Sequence, residues 1–276
     1  MGNLEENYGS WAMVAGAAEG LGRAFALSLA KKGLDLILVD AQEEPLRNLG
    51  QELESSHHVQ VRSVHLDLAD RNAPASLMKV IGETSCRLLV YNAAYSRVKR
   101  FSENAESDLD RYVEVNVRTP LMLLHAFINH YRNTPDLRKG IILMGSLAGS
   151  WGSRYLAPYG ASKAFTQLLA ESLSNEWKGE GFDILSAITG ATATPGYLSS
   201  LPAGGKLPGN VMEPGRVAGE IIGALGKRPF VIPGFGNKAV YFMLARILPR
   251  RVSLRIMDRA VSRLYGSRRP GTDPKK

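Results

Sequence analysis

Short apolar runs alternate along this chain with longer segments whose apolar residues recur at helical spacing. The alternation predicts strands joined by helical crossovers, and therefore a parallel sheet. Seven runs predict strands: Trp11–Ala15, Leu34–Asp40, Val59–Asp67, Leu88–Asn92, Gly140–Gly145, Phe182–Thr189 and Phe230–Pro233. Six segments predict helices: Gly20–Lys32, Glu43–Glu54, Pro74–Gly82, Ser107–Tyr131, Pro158–Lys178 and Pro214–Leu225. We expect an α/β fold with a doubly wound, seven-stranded parallel sheet.

One large α/β domain accounts for most of the 276 residues. We assign residues 1–236 to this domain and residues 237–276 to a C-terminal extension. The segment Ala193–Glu213 contains several Gly and Pro residues and has no helical or strand period. A segment of this kind predicts a mobile loop over a functional site.

Positive charge is concentrated in the extension. The whole chain carries +8, but residues 238–276 hold eleven basic and two acidic residues, a net +9 that leaves about −1 for the rest. Asn237–Leu248 is mostly apolar, and Pro249 is expected to end or kink its helix. Beyond Pro249, one basic stripe repeats every four residues: Arg251, Arg255, Arg259 and Arg263. This basic amphipathic helix either lies on an anionic membrane surface or packs its apolar face on the domain or a second subunit.

The sequence gives no indication of a disulfide, a metal site, a secretory signal or a membrane-spanning segment. Cys86 is the single cysteine, which excludes an internal disulfide, and the five histidines lack the spacing of a zinc site, so no metal is expected. Residues 1–10 do not resemble a secretory signal, and no apolar segment is long enough to span a bilayer. The charge of the extension comes with no nucleic-acid-binding motif. We expect a cytoplasmic protein, in peripheral contact with a membrane if the extension binds one, and no nucleic-acid partner.

A glycine-rich turn connects the first predicted strand to the first helix. Its glycines, Gly16, Gly20 and Gly22, allow backbone N–H groups to approach a pyrophosphate, with Glu19 and Leu21 inside the same turn. The alternative is an ordinary strand-to-helix turn. Asp40 ends the second strand, where a carboxylate can accept hydrogen bonds from both hydroxyls of an adenosine ribose. Asp40 and Glu19 would also repel a 2′-phosphate, which favours NAD over NADP.

A second motif carries proton-transfer chemistry. Tyr159 and Lys163 share one helix face, and a nearby ammonium group favours the phenolate and so lowers the pKa of a tyrosine. Ser146, thirteen residues before Tyr159, ends a predicted strand and can hydrogen-bond a substrate oxygen. Tyr95 and Lys99 have the same spacing but no such serine, and we discard them. The alternative for Tyr159 is a half-buried core tyrosine.

Taken together, these motifs resemble the short-chain dehydrogenase/reductase family from about Tyr8 to Pro233. The set comprises Gly16-x-x-x-Gly20-x-Gly22, Asn92-Ala-Ala, Asn116, Ser146 and Tyr159-x-x-x-Lys163. The resemblance implies a Rossmann fold and transfer of a hydride between nicotinamide and a secondary alcohol or ketone. It implies that Tyr159 is the acid/base, that Ser146 orients the carbonyl, and that Lys163 lowers the tyrosine pKa and binds the nicotinamide ribose. It also implies that Asn116 anchors a water in the proton relay.

Further cofactor contacts follow from the same resemblance. Asp67 and Leu68 match the pair that contacts adenine, and Asn92 with Ala93 matches the segment beneath the adenosine ribose. Thr192 and Thr194 stand where the family touches the nicotinamide amide and the phosphate. Three residues depart from the family pattern and affect details of cofactor seating: Ala15, Ala94 and Thr189.

The expected substrate is a lipophilic alcohol or ketone, steroid-like or acyl-like. The loops predicted to border the site contribute mostly apolar and aromatic side chains: Ala148, Trp151, Tyr155 and Leu198, with Leu147, Tyr197 and Leu201 nearby. The alternative is that these side chains only cover the core. The opening Tyr8-Gly-Ser-Trp-Ala and the basic extension look like the branch that contains hydroxysteroid dehydrogenases and 3-oxoacyl reductases. The family also implies a homo-oligomer. The rival function is a catalytically silent NAD-binding or scaffold protein, which would be expected to have lost Ser146, Tyr159 or Lys163.

Overall fold

The sheet has seven parallel strands in the order β3-β2-β1-β4-β5-β6-β7. The computed structural model describes residues 4–201 and 211–265. Its strands are β1 Trp11–Ala15, β2 Asp35–Asp40, β3 Val61–His65, β4 Leu88–Tyr91, β5 Lys139–Ser146, β6 Phe182–Thr189 and β7 Phe230–Val231. All seven predicted strands are present, and the expected doubly wound parallel sheet is confirmed.

Helices cover both faces of this sheet. They are α1 Leu4–Tyr8, α2 Gly20–Ala30, α3 Glu43–His57, α4 Ala73–Thr84, α5 Glu106–Val113, α6 Thr119–Tyr131, α7 Ala157–Glu176, α8 Pro195–Ser200, α9 Pro214–Ile222, α10 Phe235–Phe242 and α11 Arg250–Tyr265. Side chains of β1 alternate between two cores, since Val14 packs with α2, α3 and α9 whereas Met13 packs with α4 and α6. Both faces of the central strands are therefore buried, which explains why those strands read as continuous apolar runs.

The helix predicted over Ser107–Tyr131 is present, but it is interrupted in its middle. A π turn at Glu114–Arg118 separates α5 from α6, and the N–H of Thr119 bonds the carbonyl of Glu114 across it. Such a turn adds one residue to a helix whose apolar pattern continues on either side, so periodicity does not reveal it. Asn116 lies in the middle of this turn, a position that the site description explains.

The loop predicted over Ala193–Glu213 is partly helical. Thr194 begins α8 by accepting a hydrogen bond on its Oγ1 from the N–H of Tyr197, at 3.2 Å, and Pro195 supplies the first helical position. Six residues are too few to leave a helical period in the sequence. Residues 202–210 of the predicted loop lie outside the described part of the chain.

The C-terminal extension packs against the domain. A π turn at Met243–Ile247 follows α10, and α11 starts directly after Pro249, where a break was predicted. Asn237 is 2% exposed, and a Cβ on Gly190 after β6 would lie 2.6 Å from its Oδ1. The boundary after residue 236 stays a prediction. None of the helices in the described residues has the length and apolarity needed to cross a membrane.

Candidate active site

Most predicted site residues lie where the strands end. Gly16 follows β1, Asn92 follows β4, Ser146 is the last residue of β5, and Gly190 follows β6. The strand order reverses between β1 and β4. In doubly wound sheets the crevice at this reversal, outside the carboxyl ends of the strands, is where ligands bind. The topology therefore brings the glycine turn and the proton-transfer residues to one edge.

The glycine turn has no room for side chains. Gly16 has φ 77°, and a Cβ there would lie 2.7 Å from the Cα of Ala93. A Cβ on Gly22 would lie 1.7 Å from the carbonyl oxygen of Gly16. Glu19 precedes α2 in extended conformation without capping it through its side chain, and Leu21 is half-buried in the first helical turn. A close backbone turn at a helix N-terminus fits the pyrophosphate of a dinucleotide.

Two side chains hold the glycine turn from opposite sides. Asp40 accepts hydrogen bonds from the N–H of Ala18, at 2.9 Å, and from the N–H of Gln42, at 3.1 Å. Asn92 donates from Nδ2 to the carbonyl of Gly16, at 2.8 Å. These structural roles were not anticipated from the sequence, which assigned both residues only to the cofactor. Each carboxylate oxygen of Asp40 retains capacity for a further hydrogen bond.

Four other predicted cofactor residues make contacts within the protein. Asp67 pairs with the guanidinium of Arg111, at 2.9 Å, and buried Leu68 accepts a hydrogen bond on its carbonyl from Thr119, at 2.8 Å. Thr192 is buried and bonds the carbonyl of Gly190. Thr194 caps α8 and also lies against Gly20, where a Cβ would be 3.0 Å from the threonine Cβ. Thr194 thus borders the glycine turn, and the roles of all four toward a cofactor stay predictions.

Ser146, Tyr159 and Lys163 are brought together. Tyr159 lies in the first turn of α7 and shares a hydrogen bond with Ser146. Ser146 Oγ accepts from the N–H of Ala148, at 3.2 Å. Lys163 is buried, donates to the carbonyl of Met144 at 2.7 Å, and places its ammonium 5.7 Å from the Tyr159 ring centroid. The structure therefore brings a phenol, an aliphatic hydroxyl and a buried ammonium into one place.

Burial shifts both titrating groups. It raises the pKa of the Tyr159 phenol, and the hydrogen bond from Ser146 opposes that rise. Burial lowers the pKa of the Lys163 ammonium to about 8. A charge in such an enclosed position acts more strongly on its neighbours than it would in water. The lowering of the tyrosine pKa by Lys163 stays a prediction.

Asn116 acts through the backbone around the tyrosine. In the π turn it is 3% exposed, and its Oδ1 accepts from the N–H of Tyr95 at 2.7 Å. Its Nδ2 donates to the carbonyl of Tyr95, at 2.9 Å, and to Ser162 Oγ, at 3.0 Å. Ser162 in turn donates to the carbonyl of Tyr159, at 2.8 Å. Asn116 therefore supports the start of α7, and its role as a water anchor stays a prediction.

The predicted substrate residues have different surroundings. Ala148 is half-buried beside Ser146, Leu198 is 43% exposed on α8, and Tyr155 adopts a left-handed backbone with φ 68°. Trp151 is only 4% exposed and packs edge-on against Tyr241 of α10, with ring centroids 5.5 Å apart. The extension thus contributes to this side of the site, which no local sequence pattern indicated.

Comparison with known proteins identifies the family. A family model described as short chain dehydrogenase matches residues 10–200, more than half of the chain. The chain belongs to the short-chain dehydrogenase family. The match spans the glycine turn, Ser146, Tyr159 and Lys163, and confirms the family resemblance stated from the motifs.

Individual relatives extend the likeness. The 7beta-hydroxysteroid dehydrogenase of Clostridium sardiniense is 29% identical over 236 residues, covering 86% of this chain and 90% of the relative. The very-long-chain 3-oxoacyl-CoA reductase of Lodderomyces elongisporus is 31% identical over 187 residues, covering 64% of this chain and 53% of the relative. A solved structure of a 7beta-hydroxysteroid dehydrogenase superposes with a TM-score of 0.84 at 27% identity, covering 92% of this chain and 99% of that one. The chain is a short-chain oxidoreductase, and its relatives support NAD(P)-dependent hydride transfer.

Proposed function

We propose that this oxidoreductase uses NAD to interconvert a lipophilic secondary alcohol and its ketone, with Tyr159 as acid and base. The observation that carries the proposal is the convergence of Ser146, Tyr159 and Lys163 beside the glycine turn. Bound nicotinamide would supply or accept the hydride. The protein has to position the two reactants and move one proton.

The hydroxyls of Ser146 and Tyr159 divide the work on the substrate oxygen. In ketone reduction both donate hydrogen bonds to that oxygen, and Tyr159 transfers its proton as the oxygen becomes an alcohol. The phenolate left behind is stabilised by the ammonium of Lys163. Alcohol oxidation runs the same proton transfer backwards, with the Tyr159 phenolate as the base.

The preference for NAD rests on carboxylates around the predicted ribose position. Asp40 ends β2, Glu19 precedes α2, and Glu43 and Glu44 follow within four residues of Asp40 without an intervening basic residue. A 2′-phosphate placed beside these groups is repelled, whereas ribose hydroxyls can donate to Asp40.

Steady-state kinetics with both cofactors tests this preference. We expect a higher kcat/KM with NAD than with NADP. Ala41 is exposed, and Ala41→Arg should reduce the ratio of these two kcat/KM values by adding a cation beside Asp40. Asp40→Ala should narrow it too, but it also releases the N–H of Ala18 from its 2.9 Å contact. Ala41→Arg is therefore the cleaner variant. Equal kcat/KM for NAD and NADP in the unmutated enzyme would refute the preference.

The proposed substrate class rests on the relatives and on the apolar site border. The relatives are named for hydroxysteroid and 3-oxoacyl-CoA chemistry, and the predicted substrate residues Ala148, Tyr155 and Leu198 carry no charge. A panel of steroid ketones, acyl ketones and small cyclic ketones, followed by the absorbance of reduced nicotinamide, tests the activity. NAD binding without turnover of any ketone or alcohol would favour the silent-scaffold alternative.

Self-association is proposed through the outer face of α6 and α7. Leu121, Met122 and Leu168 are exposed there, and Leu168 is the most exposed of the three. An apolar patch of this kind on two neighbouring helices is typical of a subunit interface. Light scattering of the wild type and of Leu168→Glu tests the proposal. A monomeric wild type would contradict it.

Peripheral membrane contact is proposed through the outward face of the extension. The stripe Arg251, Arg255, Arg259 and Arg263 is exposed, as are Phe242 and Ile247, whereas Met257 and Val261 are partly buried. Exposed arginines beside exposed apolar side chains favour an anionic lipid surface. We expect co-sedimentation with anionic but not neutral vesicles, weakened by salt and by changing all four arginines to glutamine. Since α10 and α11 pack on the domain, this variant is a better test than truncation after Gly236. Absence of binding at low salt would end the proposal.

A further inference from the structure

The last residue of α11 reaches the loop that follows β6. Tyr265 is 8% exposed, and its hydroxyl oxygen lies 3.3 Å from Ser200 Oγ at the end of α8. Ser200 Oγ donates its own proton to the carbonyl of Tyr197, at 2.6 Å. Because a serine hydroxyl has a single proton, Tyr265 is the donor in its contact with Ser200. The C-terminal extension thus meets the segment that carries Leu198.

Tyr265 also lies within electrostatic reach of the reacting phenol. Its charged form raises the pKa of Tyr159 and that of Tyr197. The contact of Tyr265 with Ser200 on α8, and that of Asp258 with Arg154 in the loop after Ser146, show that α11 meets both segments predicted to border the substrate site.

One contact fixes α11 to the loop after Ser146, and a second fixes it to the π turn that precedes it. Asp258 accepts hydrogen bonds from the backbone N–H of Arg154, at 3.1 Å, and from its guanidinium, at 2.6 Å, in the loop after Ser146. Ser253 is fully buried and donates to the carbonyl of Leu244, at 2.7 Å. The helix is attached at its first turn and again near its middle, so contacts along its length set the position of Tyr265.

The two faces of α11 differ in character. Met257, Val261 and Leu264 are partly buried on the same side as Tyr265, whereas Arg255 and Arg259 are exposed. The inward side combines these apolar side chains with Asp258, which is paired with Arg154 at 2.6 Å, and with the tyrosine hydroxyl at its end. Such a surface suits a ligand with an apolar body and a polar end.

We propose that the inward face of α11 forms the outer wall of the substrate site and that Tyr265 determines specificity for bulky lipophilic substrates. The Tyr265 ring packs on the apolar body of the substrate, and its hydroxyl proton, which Ser200 accepts in the free enzyme, is donated instead to a carbonyl remote from the reacting carbon. A compact ketone held by Ser146 and Tyr159 does not extend to this wall. The inference rests on the proposed oxidoreductase function and adds the residue that selects substrate size.

Steady-state kinetics of the full-length enzyme with androstenedione and cyclohexanone tests the inference. We expect Tyr265→Ala to raise KM for androstenedione about tenfold and to change KM for cyclohexanone by less than about twofold. Tyr265→Phe should raise the steroid KM less, with kcat unchanged. Arg250→Ala, at an exposed position of the same helix outside the arginine stripe, is the matched control and should alter neither KM. The same ratio of the two KM values in all four proteins overturns the inference.

A binding measurement separates this inference from the proposed function. If the wild type turns over neither ketone, the proposed substrate class fails, and calorimetric titration with androstenedione then tests Tyr265 alone. Weaker binding of androstenedione by Tyr265→Ala than by the wild type supports the inference. Equal binding by the two proteins, or no binding by the wild type, overturns it. Thermal unfolding checks each variant, and Tyr265→Leu replaces Tyr265→Ala if the alanine protein is unfolded.

Discussion

The chain contains two tyrosine–lysine pairs with the same spacing and opposite surroundings. Lys163 is buried and Tyr159 is partly buried, and in the described residues no ion pair involves Lys163. Tyr95 and Lys99 converge instead on one carboxylate: Tyr95 donates its hydroxyl proton to Asp108, and the Lys99 ammonium lies 2.5 Å from the same group. The ammonium of Lys99 is thus paired with a carboxylate, whereas that of Lys163 lies near a phenol without one.

The difference shows that spacing alone does not create acid–base chemistry. Lys163 has a pKa lowered to about 8 by burial, whereas Asp108 has a pKa lowered to about 2 by its hydrogen bonds from Lys99 and Tyr95. A buried ammonium without a carboxylate can stabilise a phenolate, and one paired with a carboxylate stabilises the fold. The two pairs are nevertheless connected. Asn116 hydrogen-bonds both the backbone of Tyr95 and the hydroxyl of Ser162, and Ser162 bonds the carbonyl of Tyr159.

Removing each phenol is the strongest test of this contrast. Tyr159→Phe should lower kcat by about 10²–10⁴-fold, the usual contribution of a positioned acid–base group, and should leave NAD affinity nearly unchanged. Tyr95→Phe is the matched control, and its kcat should stay within about threefold of the wild type because its hydroxyl serves only structural contacts. Residual activity above about a tenth in Tyr159→Phe would show that another group transfers the proton.

Removing each ammonium should have the next largest effect. Lys163→Met should lower kcat/KM for alcohol oxidation about 10²-fold and move the rise of its pH profile to higher pH, since the phenolate loses its cation. Lys99→Met should leave the profile in place. An unshifted profile in Lys163→Met would mean that the lysine acts only by holding the cofactor or the fold.

Breaking the link between the pairs should have a smaller effect. Asn116→Leu leaves the N–H and carbonyl of Tyr95 without their amide partner, which costs about 1–3 kcal/mol for each unsatisfied buried group. We expect a lower melting temperature together with a reduced kcat, because Ser162 loses a contact that orients Tyr159. Asn116→Asp, which keeps the acceptor for the N–H of Tyr95, should recover part of the stability. A reduced melting temperature with an unchanged kcat would limit Asn116 to a structural role.

The contrast also marks what the sequence can predict. The strands, the glycine turn and the Ser146–Tyr159–Lys163 group follow from local patterns, because parallel strands deliver their carboxyl ends to one edge. The π turn around Asn116 leaves the apolar period intact on both sides, so the sequence predicts one helix there. Tyr265 meets Ser200 of α8 because α11 contacts distant loops, and no local pattern encodes these contacts.

The smallest expected effect is the pH dependence of the Asp108 cluster. Asp108 has a pKa of about 2 in the folded protein against an ordinary value of 3.8, so its pairing stabilises the fold fully above the ordinary value. The contribution is lost as pH falls from there through about 2. Asp108→Asn should cost about 1 kcal/mol near neutral pH, discounted for solvent screening. Urea unfolding at several pH values across that range measures the free energy of unfolding of both proteins. The difference between the wild type and Asp108→Asn should shrink as the pH falls. If the difference in the free energy of unfolding stays constant with pH, the destabilisation comes from lost packing. The ion pair with Asp108 would then not explain why Tyr95 and Lys99 differ from Tyr159 and Lys163.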